Sequence, residues 1–510
     1  MQSLANVAVT MADETPGLTA LLAEVTALRD QVAADGAALY REWRGRIKRP
    51  AFASSALNFA HYLALRRIDL RGLQRRLMVY GLSSLGRSEG HVLATLDAIV
   101  WALARLATAG DGRHPPSERH FFRGERLLSS NTAELFGPLH KGRRSSIMVT
   151  LGAAAADDPK FVAELAEAGA DVVRINCGHD GPSVWQRMVD NTRAASSIRP
   201  LRILMDIAGP KVRLEQVVSP PGRRELAIGD RLLLCRAIDP ARAEFPYQAT
   251  CAPASVLDRL KVGDVISIDD GKLRGSISAA TADGFTVSLS QGRLKGLKLK
   301  PGRGINFPAV DLKLDPLTAK DRRDLDFVAT HADLIGHSFV QNAEQVAALQ
   351  EELAARRPDW QRIGLVAKIE TPAAVSNLPE IIVQAAGRQP LAVMIARGDL
   401  AVELGFERLA EMQEEILWLC EAAQVPAIWA TQVLEGLIEE GMPSRGEMTD
   451  AAMAARAECV MLNKGPNLAA AVGALDRVLR RMGEHQVKKT PTLRALHSWP
   501  ERARARSSAG

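Results

Sequence analysis

The run SIMVTLGAAAADDPKFVAELAEAGADVVRINCG, residues 146–178, decides the fold. Two apolar stretches, SIMVTLG and DVVRINC, flank KFVAELAEAGA, a helix-like segment. Successive side chains on a strand point to opposite faces. A strand that is apolar at nearly every position must therefore be covered on both, as in a parallel sheet between helices. The unit then recurs: RILMDI (202–207), DLIGHSF (333–339), GLVAKIE (364–370), LAVMIARG (391–398), PAIWATQV (426–433) and CVMLNKG (459–465), with LAEMQEEILWLCEAA among the intervening helical stretches. Eight such strands match the count of a TIM (β/α)8 barrel. A doubly wound open sheet is the rival, but TLGAAA after the first strand is not a Gly-rich dinucleotide loop.

The repeat breaks between the third and fourth strands. ELAIGDRLLLC (225–235), LKVGDVISIDDGKLRGSISAATADGFTVSLS (260–290) and GLKLKPGRGINFP (296–308) carry short alternating strands and GD or DG turns, which predict a small antiparallel barrel. Ahead of the repeat, Leu18, Leu21, Leu22, Val25, Leu28 and Val32 recur at helical spacing, and Pro–Gly near 16 and GDGRHPP near 110 punctuate the region. The expected α/β architecture is a TIM barrel with an inserted β-barrel lid domain and an N-terminal α-helical region. Its parts are a helical region 1–140, barrel 141–213, lid 214–304, barrel 305–485 and a basic tail 486–510.

Composition narrows the class. The 510 residues are 47% hydrophobic and 24% charged, which excludes a wholly disordered chain. A net charge of +6 is too small to argue for nucleic acid, and the basic stretches 41–49 and 66–76 read as solvated helix faces packed on a neighbouring domain rather than as a nucleic-acid-binding module. No apolar run is long enough to span a bilayer, and the N-terminus lacks a basic start followed by an apolar stretch. Five cysteines with no CxxC pair favour free thiols in a reducing, cytoplasmic compartment.

Barrel enzymes place function at the C-terminal ends of their strands. There this chain carries Arg174, Asn176 and His179; Asp206, Lys211 and Arg213; Ser338; Lys368 and Glu370; Arg397, Gly398 and Asp399; Thr431 and Gln432. Glu370 and Asp399 are oxygen donors suited to Mg²⁺ or Mn²⁺ rather than Zn²⁺. Arg174, Lys368 and Arg213 suit an anionic substrate, the equipment of phosphoryl transfer or enolate chemistry. Each residue also has a plainer reading: a Lys368–Glu370 salt bridge, Thr431 satisfying backbone, His179 an ordinary loop histidine, Arg397 a structural arginine.

VVRINCGHDG, MDIAGPKVR, VISIDDGKL, GRGINFP, LVAKIE, VMIARGDLAVE and PAIWATQVLEGL together resemble the successive signatures of pyruvate kinase, in family order, over roughly 145–480. The resemblance implies a TIM barrel with a lid in the third βα loop and the reaction of phosphoenolpyruvate with ADP. It implies that Glu370 and Asp399 hold Mg²⁺, that Lys368 neutralises the phosphoryl group and the enolate oxygen, and that Arg174 contacts phosphate. Gly398, Asp399 and Thr431 would take the substrate carboxylate. Asn176, His179, Arg213 and Arg303 would face the nucleotide, Arg303 standing where the family usually offers a lysine.

Departures from the family pattern shape further expectations. Asn176 and Asp206 keep part of the family's K⁺ position, but Gly178 and Ile207 replace its serine and threonine. Lys211 stands where K⁺-dependent members have glutamate, so K⁺ is expected not to be required. TLGAAA and NKGPN replace the usual nucleotide-side loops and bring in Lys464. No counterpart of the family's C-terminal domain is read, which implies no sugar-phosphate regulation and a homo-oligomer through the barrel, a dimer rather than the usual tetramer. Two alternatives stand beside this one: a non-catalytic phosphoenolpyruvate-binding relative, and a Mg²⁺-dependent pyruvate-enolate aldolase or lyase.

Overall fold

The computed structural model describes residues 3–491 other than 83, 108–113, 141, 224, 243, 293–294 and 309, with the backbone alone over 3–16. Eight parallel strands close into a barrel: Ser146–Thr150, Val172–Asn176, Arg202–Asp206, Leu334–His337, Gly364–Ile369, Leu391–Ala396, Ala427–Ala430 and Cys459–Leu462. The first pairs with both the second and the eighth, and the third with the fourth across the inserted domain. This is the α/β barrel expected from the apolar runs.

Strand parity sorts the side chains. Met148, Val172, Leu204, Leu334, Val366, Ala392, Ile428 and Cys459 form one buried cluster, the barrel interior. Two residues further along the same inward rows stand Arg174, Asp206 and Lys368, so the interior changes from apolar floor to charged mouth within one strand repeat. Gly336 makes room for this: a Cβ there would lie 2.3 Å from Oδ1 of Asp206.

The insertion forms a seven-stranded sheet from Arg213–Val218 to Ile305–Asn306. An antiparallel bridge between Arg213 and Gly304 joins its first and last strands, so it curls on itself around its own core of Leu232, Leu234, Ile266 and Val287. One pairing departs from the expected antiparallel pattern: Arg231–Cys235 runs parallel to Gln248–Ala252. A 12-residue connection (236–247) separates these strands, long enough to return the chain in the same direction.

Among the described residues, six α-helices precede the barrel: α1 (Ser3–Trp43), α2 (Pro50–Leu65), α3 (Arg71–Val79), α4 (Val92–Leu106), α5 (Glu118–Phe121) and α6 (Arg123–Phe136). Pro16 and Gly17 lie inside α1 rather than breaking it, and the GDG of the second cluster lies outside the described residues. The region packs on the barrel's N-terminal end. Leu135 and Phe136 of α6 join the interior cluster, plugging the floor. Gly364 opens the fifth strand against that plug, where a Cβ would come within 2.6 Å of Leu135. The basic stretches lie on helix faces packed against their neighbours, as expected: Arg46 binds Glu380, Arg49 binds Glu134 at 2.5 Å, and Arg66 lies 4.9 Å over the Trp418 ring.

The basic tail expected from 486 begins as structure. Gln486–Val487 and Thr490–Pro491 pair as a small hairpin whose Lys488 and Lys489 meet Glu458 and Glu89, while 492–510 lie outside the described residues. All five cysteines are buried and free. Among the described residues, no helix is long and apolar enough to cross a membrane.

Candidate active site

The mouth of the barrel holds a buried ionic cluster. Lys368 extends its ammonium to 3.2 Å from both Asp206 and Glu370, and donates to Ser338 Oγ at 2.7 Å. Arg174 Nε donates to Asp206 Oδ2 at 2.9 Å, and its Nη1 reaches Thr150 Oγ1 at 3.3 Å. Asp206 is 1% exposed and Glu370 3%. Burial opposes the Lys368 ammonium, yet Asp206 and Glu370 outweigh it and hold its pKa above the ordinary lysine value. Burial likewise opposes the Asp206 carboxylate, but Lys368 and Arg174 keep its pKa low. Glu370 is the exception: burial pushes it up, Lys368 offsets only part, and Asp399 adds repulsion.

The sixth strand stops at Ala396, so Arg397, Gly398 and Asp399 do not extend it as the sequence suggested; they open a helix, Arg397–Leu404. Arg397 confirms its plainer reading. Its guanidinium donates to the carbonyls of Ala430 and Thr431, grips Asp450, and lies 4.6 Å over the Trp429 ring. That grip supports a turn in which Thr431, Gln432 and Leu434 adopt φ of 66°, 56° and 51°. The strained turn presents Thr431 Oγ1 to the Gly398 N–H at 2.8 Å.

Asp399 Oδ1 accepts from Lys211 Nζ at 2.8 Å, and Lys211 also lies 3.4 Å from Asp270 of the lid and 6.0 Å from the Phe339 ring centre. Burial lowers the lysine's pKa, but Asp399 and Asp270 raise it by more. A second tie between lid and barrel is Asn306 Nδ2 to Glu403 at 3.1 Å.

Two cavities share Arg174, Asn176 and Asn463. One, of about 160 Å³, is bordered by Lys211, Arg213, Lys368, Glu370, Asp399 and Thr431. The other, of about 270 Å³, is bordered by His179, Asp180, Glu435, Glu439 and Lys464. Burial, Lys464 and Arg213 together lower the His179 pKa. The structure thus brings Arg174, Asn176, His179, Lys211, Arg213, Ser338, Lys368, Glu370, Asp399 and Thr431 to the walls of these two cavities, with Asp206 bound to Arg174, whereas Gln432 is exposed and borders neither. Arg303 borders neither cavity; it lies on the lid, ion-paired with Asp269. Phe339 went unread in the sequence: φ of 56° turns its N–H onto Glu370 Oε2 at 2.6 Å. Asp270 and Asn463 were missed as well, since nothing local marks a lid turn or an eighth-strand amide as facing this mouth.

The donor set fits a hard divalent cation. Among the described residues no three His, Cys, Asp or Glu side chains are gathered for a metal. A cation here would rest on Glu370 and Asp399, carboxylates close enough to repel one another, and complete its shell from substrate and water, as Mg²⁺ commonly does.

A barrel whose mouth joins three carboxylates, Asp206, Glu370 and Asp399, to several cations beneath an inserted β-domain defines an enzyme class suited to compact, multiply charged anionic substrates. Comparison with known proteins narrows the class. Residues 142–470 match the family described as pyruvate kinase, barrel domain. The chain is 33% identical over 372 residues to the pyruvate kinase of Methylorubrum extorquens, covering 71% of this chain and 73% of that protein. It is 32% identical over 359 residues to that of Agrobacterium vitis, covering 68% and 70%. With the Geobacillus stearothermophilus enzyme it shares 32% identity over 315 residues, 61% of this chain and 51% of that one. The chain belongs to the pyruvate kinase family.

Proposed function

We propose that this chain transfers the phosphoryl group of phosphoenolpyruvate to ADP, giving pyruvate and ATP, with Mg²⁺ or Mn²⁺ required and K⁺ not. The observation that carries the reading is the Lys368 ammonium, held 3.2 Å from Asp206 and Glu370 and flanked by Arg174 at the barrel mouth. Arg174 and Lys368 would bind the phosphoryl oxygens, and Lys368 would also face the enolate oxygen as the P–O bond to it breaks. The N–H groups of Gly398 and Asp399, with Thr431, would orient the substrate carboxylate. Asn176, His179 and Arg213 would face ADP, whose β-phosphate oxygen forms the new P–O bond, while Arg303, held by Asp269 on the lid, is not assigned to it. The enolate then takes a proton at its methylene carbon on the side of Thr431. A divalent cation on Glu370 and Asp399 would supply charge neutralisation between substrate carboxylate and phosphate. Positioning and charge neutralisation are what phosphoryl transfer chiefly asks of a protein.

Independence from K⁺ rests on Lys211. Its ammonium is fixed beside Asp399, a positive charge at the mouth that needs no bound monovalent ion. The test is a coupled pyruvate assay with Mg²⁺, ADP and phosphoenolpyruvate. Activity should vanish with a chelator and survive replacement of K⁺ by tetramethylammonium; loss of most activity in that medium would refute K⁺ independence. Absence of turnover under all conditions would favour a non-catalytic phosphoenolpyruvate binder. We further expect a cytoplasmic homodimer formed through the barrel, to be checked by light scattering.

A further inference from the structure

We propose that Lys211 couples the hold on the divalent cation to the position of the lid. Its ammonium and the cation draw on the same carboxylate, Asp399, and an ammonium displaced from Asp399 is taken up by Asp270 on the lid. The proposal rests on Glu370 and Asp399 being the cation's ligands. It goes beyond that reading by naming the side chain that opposes the cation and the lid residue that answers it.

Three observations carry it. First, Lys211 already serves one of the two carboxylates. Its Nζ lies 2.8 Å from Asp399 Oδ1, and Glu370 adds to the attraction. Two positive charges that share one carboxylate repel each other, and the repulsion grows where solvent is scarce. The side chain of Lys211 is 18% exposed and that of Asp399 16%. A divalent cation therefore binds against a resident ammonium.

Second, another acceptor is in reach. Asp270 Oδ1 lies 3.4 Å from the same Nζ, a long contact while Asp399 is the nearer partner. The Asp270 side chain is 57% exposed and has no other ion pair among the described residues. Left to Asp270, the ammonium keeps its charge at the mouth and fastens the lid.

Third, the lysine is built into the lid's attachment. It precedes the first lid strand, Arg213–Val218, and its stem runs against Gly304, just before the last; a Cβ on Gly304 would fall 2.8 Å from Lys211 Cε. Asp270 stands in a turn where Asp269, Asp270 and Gly271 adopt φ of 54°, 53° and 85°. A Cβ on Gly271 would lie 3.5 Å from Val402, on the helix that carries Asp399. Lid turn, lysine and cation ligand are thus neighbours. By linkage, whatever strengthens the Lys211–Asp270 contact strengthens cation binding, and the reverse.

The test follows Mn²⁺ binding to the full chain by electron paramagnetic resonance of the free ion, without phosphoenolpyruvate or ADP. Glu370→Gln should abolish the tight site. Lys211→Met should tighten Mn²⁺ binding about tenfold, within the usual range of coupling between sites, and Lys211→Gln should do the same, so that one poorly folded variant does not decide the result. Asp270→Asn should weaken Mn²⁺ binding several-fold in the unsubstituted chain. Beside Lys211→Met it should change nothing, because Asp270 acts only through the lysine. Hydrogen exchange in the turn 269–272 should slow on addition of Mn²⁺ in the unsubstituted chain and in neither the Lys211 nor the Asp270 variant. If Glu370→Gln leaves Mn²⁺ binding intact, the cation assignment and this proposal fall together. If Glu370→Gln abolishes it but both Lys211 variants bind Mn²⁺ no more tightly, the proposal alone falls. An equal effect of Asp270→Asn with and without Lys211 would overturn it in the same way.

Discussion

At the scale of single residues, the mouth is a balance of charges in which each member's neighbours decide its state. Lys368 is surrounded by Asp206, Glu370 and Arg174, all buried. Lys368→Met should lower kcat by about 10³-fold, the scale of removing a preorganised electrostatic contact to a transition state. Because it leaves Glu370 buried with its partner gone, it should also lower the melting temperature. A coupled assay and calorimetry on the same preparation measure both. Lys211 offers a cleaner exchange, since it is tied to Asp399 and Asp270 and can be replaced without emptying the floor. Lys211→Glu should turn a K⁺-indifferent activity into one stimulated several-fold by K⁺; an equal loss with and without K⁺ would show that the ammonium does not act as a fixed cation. Much of this was legible beforehand, because strand-end positions name themselves once the strands are found. Phe339 was not, since what matters there is a backbone N–H aimed by a positive φ, which no side chain announces.

At the scale of elements, the floor plug and the C-terminal hairpin tie the helical region to the barrel. Leu135 fills the space Gly364 leaves open, so Gly364→Val should overpack the floor and cost about 1–3 kcal/mol, read as a shift in the denaturant midpoint. Near the hairpin, burial pushes the Glu421 carboxyl up to about 7; Lys488 offsets part of this, and Glu89 and Glu458 add repulsion. Its pKa is higher folded than unfolded. The stability it contributes is therefore full below the ordinary carboxyl value near 4.5 and is lost as pH rises towards 7. Glu421→Gln should abolish that decline and raise stability at pH 8 by about 2–3 kcal/mol. Unchanged slopes between pH 4.5 and 8 would remove Glu421 from the account. These ties were hidden in the sequence: Glu89 is hundreds of residues from both Glu421 and Lys489, and the lysines were read as the start of a basic tail.

At the scale of the molecule, residues 18 to 136 are not an appendage. Val25, Phe59, Leu77 and Leu103 belong to the same continuous core as Val173, Ile369 and Trp429. The lid, by contrast, keeps a core of its own. Deleting residues 1–140 should therefore expose the barrel floor and give an aggregating, dye-binding product. A soluble, cooperatively melting barrel from that truncation would mean the two parts fold separately.

The sequence alone determined the barrel, the place of the insertion and most of the mouth. Strand count, two-faced burial and strand ends are local properties, written in runs of a few residues. Only the tertiary structure decided which cations meet which carboxylates, that Arg303 stays on the lid, and that the helical region plugs the floor. Those outcomes depend on packing between segments far apart in the chain, where small differences in close approach, such as a glycine at 124, 336 or 364, select one arrangement over another.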